Sequence, residues 1–432
     1  MNYREAITYL FENLPMFQRT GKAAYKANLD NTIRLDRYFS SPHKHFKSIH
    51  VAGTNGKGSV SHILASVLRE AGYSTGLYTS PHLLDFRERI RINGSLIPEK
   101  EIAGFVANHQ HMLDAIQPSF FEMTVALAFD YFSRMQVDMA VIETGLGGRL
   151  DSTNIILPEV SVITNISKDH TEFLGDSLLS IAGEKAGIIK PGRPVVSGSS
   201  DETINKVFAD KASELKSDIF FAADRYKCLY STLTPENRRL FRLAEKNSDS
   251  RITIITDLLG DYQKENVITA LTVIDLLKDK KWNINQKNVK QGFKNVVKNT
   301  GLRGRWEIIG HNPRIVCDIG HNRDGIKIVV SQINNTPWKR LHMVLGFVND
   351  KDIDAIMQEL PDKATYYFTS PSVPRALDHK VLKQKAEAFN LRGESYGTVR
   401  EAFSAAKSTA GPDDMIFVGG STFVVADLLA IG

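Results

Sequence analysis

Cysteine is nearly missing from this sequence. Only Cys228 and Cys317 occur in 432 residues, too few for a disulfide framework, and both read as small core residues of a protein in a reducing compartment. Long apolar runs are missing too. No stretch reaches the roughly 18 apolar residues that a membrane-spanning helix needs, and Met1–Leu10 lacks the apolar core of a secretion signal. A cytoplasmic protein with no membrane partner is expected. No internal repeat or low-complexity segment is present, which excludes a repeat architecture. Charge of one sign is scarce as well: 54 Lys and Arg against 49 Asp and Glu leave a formal net charge of +5. That balance suits acidic small substrates and supplies no basic, aromatic-bearing patch for nucleic acid.

What is present is an ordinary globular composition, 42% hydrophobic and 24% charged, in a chain long enough for two or three domains. One stretch organises it: Lys47-Ser-Ile-His-Val-Ala-Gly-Thr-Asn-Gly-Lys-Gly-Ser59. Ile49 to Ala52 reads as a buried strand, and Val60, Ile63, Leu64, Val67 and Leu68 recur at the spacing of one helix face. Strand, glycine loop, helix is an arrangement that binds phosphate, because the first N–H groups of a helix are unpaired and carry the positive end of its dipole. Gly53, Gly56 and Gly58 let backbone approach an anion closely. Lys57 is placed to reach the β and γ phosphates, and Ser59 or Thr54 to help hold magnesium. The spacing differs from the standard G-x-x-x-x-G-K-[ST] loop, which argues against a motor or switch of the common P-loop kind.

The rest of the chain repeats one pattern. Residues 1–46 read as one or two helices and a loop. Leu77-Tyr-Thr-Ser-Pro-His-Leu83 follows a strand-like stretch; strands are expected at 137–142 and 160–164, a turn at Asn93-Gly94, and a helix from an N-cap at Ser119 to about Gln136. Each strand ends in a polar or glycine cluster, and ligands of parallel sheets bind at the carboxyl ends of strands. Helices follow at 177–188 and from Glu265-Asn266 to about Leu277. The stretch 200–260 is weakly patterned, with strand-like pieces at Ile219 to Phe221 and Arg251 to Thr256 and a polar region around Ser231 to Ser250. Thr300-Gly-Leu-Arg-Gly-Arg305 reads as a hinge, after which strands at 314–319, 341–345, 365–368 and 415–418 alternate with helices as a second, smaller α/β domain with a parallel sheet.

Gly53-Thr-Asn-Gly-Lys-Gly-Ser59, Ser80-Pro-His82, Ser119-Phe-Phe-Glu-Met-Thr124, Glu143-Thr-Gly-Leu-Gly-Gly-Arg-Leu-Asp-Ser-Thr-Asn154, Asp169-His170, Gly183-Glu-Lys-Ala-Gly187 and Asp318-Ile-Gly-His-Asn322 occur in this order. The ordered set closely resembles the folylpolyglutamate synthase and dihydrofolate synthase family of the Mur ligase superfamily. The resemblance implies an α/β protein with an N-terminal P-loop ATPase domain on a mainly parallel sheet (1–298) and a smaller C-terminal Rossmann-like, glutamate ligase domain (299–432). It implies an ATP-dependent ligase that joins L-glutamate to dihydropteroate, and further glutamates to reduced folates, through an acyl phosphate. The Gly-Gly-Arg-Leu-Asp form favours both activities in one chain, acting as a monomer.

The family's residues carry over by position. Thr54, Asn55, Gly56, Lys57, Gly58 and Ser59 would hold the triphosphate. Asn266, Arg305 and Asp318 would meet adenine, phosphate and ribose, with His321 at the phosphate end. Two magnesium sites would use Ser59, Ser80, Glu143, His170 and Lys185, the last carbamylated by CO2, a reaction open only to a neutral amine. Ser80, His82, Phe121, Glu122, Thr124, Arg149 and Asp151 would surround the pterin, with Asp151 on its amino group. Gly420-Ser421 and Asp350-Lys351-Asp352 would line the glutamate pocket. Lys57, His170, Lys185 and His321 are the expected catalytic set. A Mur-type ligase for a nucleotide-sugar peptide is the rival reading, and the 46 residues before the loop are too few for the extra domain it would carry. A catalytically dead binding module is disfavoured because every metal and phosphate position holds a competent residue.

Overall fold

A parallel strand covered on both faces shows no polar side to water, so it is apolar almost throughout. Strand β1 (Lys47–Ala52) is of this kind: every residue after Lys47 is buried. The computed structural model, which describes residues 1–16, 28–246 and 248–431, places β1 near the middle of an eight-stranded sheet. Its other members are β2 (Thr75–Tyr78), β3 (Ile90–Ile92), β4 (Ser95–Leu96), β5 (Met139–Glu143), β6 (Val160–Ile163), β7 (Val195–Ser197) and β8 (Ile219–Phe221), in the order β4-β3-β2-β5-β1-β6-β7-β8. From β2 to β8 all pairs are parallel. Only β3 and β4 run antiparallel, joined by a two-residue turn at Asn93-Gly94 with φ of 50° and 80°, as the Asn-Gly pair predicts.

One face of this sheet packs on helices Tyr3–Asn13, Glu99–Ile116 and Phe120–Arg134 through a core that includes Tyr78, Ile142, Phe129 and Phe132. Another apolar cluster joins Ala52, Ile163 and Val195 to helices Leu178–Ala186 and Glu202–Glu214. Helix Phe120–Arg134 starts as expected, with Ser119 and Glu122 capping each other's backbone. Of residues 1–46, Tyr3–Asn13 and Asp30–Tyr38 are helical, and the part of that reading covering 17–27 lies outside the described residues.

The weakly patterned stretch holds a separate antiparallel sheet, β11-β10-β9, of β9 (Tyr226–Leu233), β10 (Arg239–Glu245) and β11 (Arg251–Thr256). Strand β9 is mostly exposed, so it carries no alternating apolar signal for a sequence reading to find.

Two compact units result. One comprises Met1–Asp257 with Gln263–Leu302, the other Leu258–Tyr262 with Arg303–Gly432. The second unit is built on β12 (Glu307–His311), β13 (Arg314–Asp318), β14 (Leu341–Leu345), β15 (Ala364–Thr369), β16 (Gly393–Tyr396) and β17 (Met415–Gly419), ordered β12-β13-β17-β14-β15-β16. Its sheet is parallel except for β12, which pairs antiparallel with β13. The strands expected from 314 onward did not include this half-exposed antiparallel edge. The segment Leu258–Tyr262 belongs to this unit through its side chains: Leu259 and Tyr262 pack on its core. The Tyr262 hydroxyl donates to Asp318 Oδ2 at 2.5 Å, and the Asp261 N–H to Gln332 Oε1 at 2.6 Å. Replacing Tyr262 with Phe strips a buried carboxylate of one donor and should destabilise the second unit by about 1–3 kcal/mol. Chemical denaturation of Tyr262→Phe measures this, and an unchanged midpoint would show the bond to be idle.

Candidate active site

Strand β1 ends at Ala52, and the loop that follows is held in a cradle supplied by the end of its neighbour β6. The Thr54 N–H donates to the Asn165 carbonyl at 2.8 Å, the Asn55 N–H to Asn165 Oδ1 at 2.7 Å, and the Thr164 hydroxyl to the Asn55 carbonyl at 2.6 Å. The Ser167 N–H donates to Thr54 Oγ1, whose hydroxyl donates back to the Ser167 carbonyl, both at 3.1 Å. Sequence reasoning missed Thr164, Asn165 and Ser167, although a strand ending in a polar cluster was the available signal.

The cradle leaves no room for side chains on the loop. Gly53 has a φ of 147°, and a Cβ there would lie 1.9 Å from Thr164 Oγ1; Gly56 has a φ of 89°, and its Cβ would lie 2.3 Å from Asn266 Oδ1. Both positions therefore demand glycine. Gly56 caps helix Lys57–Glu70, and no side chain caps that helix, which leaves its first N–H groups for an acceptor from elsewhere.

Two lysines meet at this loop. Lys57 Nζ donates to the carbonyls of Gly53 and Thr54 at 3.1 and 3.2 Å, and Lys185 Nζ to the same Gly53 carbonyl at 2.8 Å. Lys185 is 4% exposed. Burial and then the neighbouring Lys57 push its ammonium down to about 7, against the opposing pull of Asp169 and Asp151. At neutral pH a large share of Lys185 is thus the free amine.

The tips of the other strands stand beside the loop in register. Val51 of β1 pairs with Glu143, the buried last residue of β5, and the Thr144 N–H donates to the Val51 carbonyl at 2.9 Å. His170 follows β6 in a left-handed conformation, with its N–H on Asp169 Oδ1 at 2.9 Å. Ser80 and His82 follow β2. Among the described residues no three His, Cys, Asp or Glu side chains stand together as a metal cluster. Magnesium takes one or two carboxylates and completes its shell with water and substrate phosphates. Glu143 and the serine hydroxyls offer the oxygen donors it prefers; the His170 nitrogen fits it less well.

Several residues expected around the pterin also hold the local fold in place. Asp151 accepts four hydrogen bonds, from the N–H groups of Gly145, Leu146 and Thr153 and from the Thr153 hydroxyl. Its carboxylate shapes the 145–154 loop, while burial pushes its pKa up against those bonds. Glu122 accepts from the Ser119 N–H at 2.6 Å and from Asn31 Nδ2 at 3.4 Å, so it caps its own helix. Thr124 is fully buried and donates to the Phe120 carbonyl one turn back. Phe121 does reach the loop: a Cβ on Gly145 would lie 2.5 Å from its ring. Arg149 lies on the outside, paired with Glu184 at 2.9 Å.

Asn266 stands against Gly56, its amide donating to Gln263 Oε1 at 2.8 Å. Within the second unit, Asp318 accepts from Tyr262, from the Trp306 N–H and from the Gly320 N–H. Arg305 lies near enough to Asp318 to oppose the upward push of burial on its pKa. His321 directs Nδ1–H to the Ile319 carbonyl at 3.0 Å, and Ser421 Oγ accepts from the Val424 N–H at 3.1 Å, capping the last helix.

Comparison with known proteins accounts for this geometry. Residues 51–274 match the Mur ligase middle domain, and residues 304–422 the Mur ligase, glutamate ligase domain. The chain is 32% identical, over 99% of its length, to a probable bifunctional folylpolyglutamate synthase/dihydropteroate synthase of Haloferax volcanii, and spans half of that protein. It is 31% identical to the folylpolyglutamate synthase of Lacticaseibacillus casei, covering 99% of this chain and 97% of that one. Among solved structures, Escherichia coli FolC in complex with DHPP and ADP superposes with a TM-score of 0.87 at 26% identity, over 100% of this chain and 97% of that one. The chain belongs to the Mur ligase family, in the branch of the folylpolyglutamate and dihydrofolate synthases.

Gly56→Ala should fold with a distorted loop and lose ATP binding by at least about tenfold, the effect of forcing a Cβ onto the Asn266 amide. Calorimetric titration with ATP checks it, and wild-type affinity would contradict the steric argument. Asp151→Ala should lower ligation of every acid substrate alike and destabilise the chain by about 1–3 kcal/mol, since four donors lose one acceptor. A loss confined to a single acid substrate would instead restore the direct contact.

Proposed function

We propose that the protein is an ATP-dependent ligase that joins L-glutamate to dihydropteroate and to reduced folates. The observation that carries this reading is the convergence of Lys57 and Lys185 on the Gly53 carbonyl, inside a glycine loop that ends on an uncapped helix. A carboxylate is a poor electrophile. Transfer of the γ-phosphoryl group of ATP to the acid's carboxylate oxygen, with departure of ADP, makes an acyl phosphate. Attack by the glutamate amine on its carbonyl carbon then forms the amide and expels phosphate.

Such a reaction needs positioned charge more than covalent help from the protein. The loop N–H groups and the start of helix Lys57–Glu70 bind the phosphate oxygens. The Lys57 ammonium leaves the Gly53 and Thr54 carbonyls to meet the charge moving between ADP and the acid. Magnesium, held by Ser59, Ser80, Glu143, His170 and Lys185 at two sites, would add neutralising charge at the same oxygens. The setting of Lys185 supports a carbamate there: burial and then Lys57 hold its ammonium down at about 7, and its Nζ lies 2.8 Å from the Gly53 carbonyl. Carbamylation turns a repelled cation into an oxygen ligand.

Lys57→Ala should abolish glutamate-dependent phosphate release from ATP with dihydropteroate and with tetrahydrofolate, by about a thousandfold or more for loss of a transition-state cation. Turnover near wild type would refute its role, and release with a nucleotide-sugar acid but neither pterin acid would overturn the substrate assignment. In 13C-bicarbonate buffer, the wild type should give a carbamate resonance that Lys185→Met lacks. The same spectrum from both proteins would remove the carbamate from the account.

A further inference from the structure

Arg89 drew no role from the sequence, yet it is the most unusual cation of the first unit. It is 3% exposed and, among the described residues, pairs with no carboxylate. Its Nε donates to His82 Nδ1 at 2.7 Å, and its guanidinium lies over the Phe120 ring, 5.3 Å from the centroid. The His82 ring sits edge-on to Phe11 and Phe86, at 6.3 and 6.2 Å between centroids. Phe86 and Phe11 both pack on Phe120. Three phenyl rings thus box the histidine and the arginine that holds it.

This geometry fixes the protons. A guanidinium has donors and no acceptor, so the nitrogen receiving its N–H carries a lone pair, and the His82 proton stands on Nε2. Among the described residues Nε2 has no hydrogen-bond partner, and the side chain is only partly buried. His82 follows β2, whose Tyr78 pairs with Ile142, next to Glu143 at the tip of β5. An N–H with one orientation is thereby offered beside the strand tips where the acid substrate is to be phosphorylated.

We infer that Arg89 is a positioning residue that holds His82 as a fixed hydrogen-bond donor to an acceptor atom in the heterocyclic ring system of the acid substrate. The inference rests on the ligase reading above and deepens it. Arg89 anchors one nitrogen, the phenyl box sets the ring plane, and the other nitrogen reads the ligand. A charged donor in the same place would favour phosphate; a neutral one favours a ring carbonyl or ring nitrogen, which discriminates between acids without competing for ATP.

Two measurements test it. The first is the 15N spectrum of the wild-type protein labelled at histidine, with His82 assigned by its loss in His82→Gln. The Nε2–H tautomer is expected, and an Nδ1–H tautomer or an imidazolium overturns the inference whatever the activity. The second is steady-state ligation. His82→Ala should raise KM for dihydropteroate or tetrahydrofolate about tenfold, the loss of one hydrogen bond to substrate, with KM for ATP within about twofold. His82→Gln, which can place an amide N–H near the Nε2 position, should recover most of it. Arg89→Met should reproduce the KM effect of His82→Ala. If that variant does not fold, the glutamine rescue decides alone. A rise in KM for ATP instead, or glutamine no better than alanine, contradicts the proposal. Absence of ligation by the wild type with either pterin acid would sink the ligase reading and leave the tautomer result standing.

Discussion

Two lysine side chains share one carbonyl oxygen. Lys57 and Lys185 both donate to Gly53, and like charges this close in a buried place repel strongly. The arrangement is tolerable if one lysine sheds its proton, if a carbamate replaces it, or if an anion comes between them. Each outcome suits a phosphoryl-transfer site, and burial first, then the same repulsion, draws Lys185 down to about 7. The rest of the first unit keeps this pair in place. Strand β6 cradles the loop, β5 brings Glu143 alongside, and helix Leu178–Ala186 carries Lys185 inward. The 145–154 loop closes over that helix, with the Arg149 N–H on the Glu184 carbonyl at 2.8 Å.

Glycine is what permits such density. With Thr164 and Asn266 packed where a Cβ would be on Gly53 and Gly56, backbone N–H groups, rather than side chains, line the place where phosphate is to lie. A loop organised by hydrogen bonds from the neighbouring strand end does not need rearranging when charge develops, and preorganisation of that kind is where most of the rate gain in charge-transfer sites resides. Asp151 does comparable work one loop away, satisfying four donors so that its turn keeps a single shape.

The parts of this design legible in the sequence are those where burial dictates residue type. Strands β1, β5, β6, β14 and β17 are covered on both faces and announce themselves as apolar runs; the glycine loop announces itself because no other residue fits. Edges are different. Strands β9, β12 and β16 are largely solvated, so their residues follow no periodicity, and of the three-stranded sheet only β11 reads as strand-like in the sequence. Polar letters are ambiguous in another way. Glu122 and Thr124 resemble site residues by type, but a capping box uses the same Ser-x-x-Glu letters, and a threonine hydroxyl can turn back on its own helix. Whether a carboxylate serves a ligand or its own backbone depends on which N–H groups surround it, and only coordinates show that. Arg89 escaped notice for the same reason: nothing in its neighbours along the chain reveals that it is buried against His82.

The account stands on the claim that the loop and its lysines drive phosphorylation of the acid before glutamate attacks. Ligation with substrate carrying 18O in its carboxylate tests this directly. Transfer of one labelled oxygen to the phosphate released, in step with amide formation, is the predicted result. Phosphate free of label, formed as fast as the amide, would contradict it.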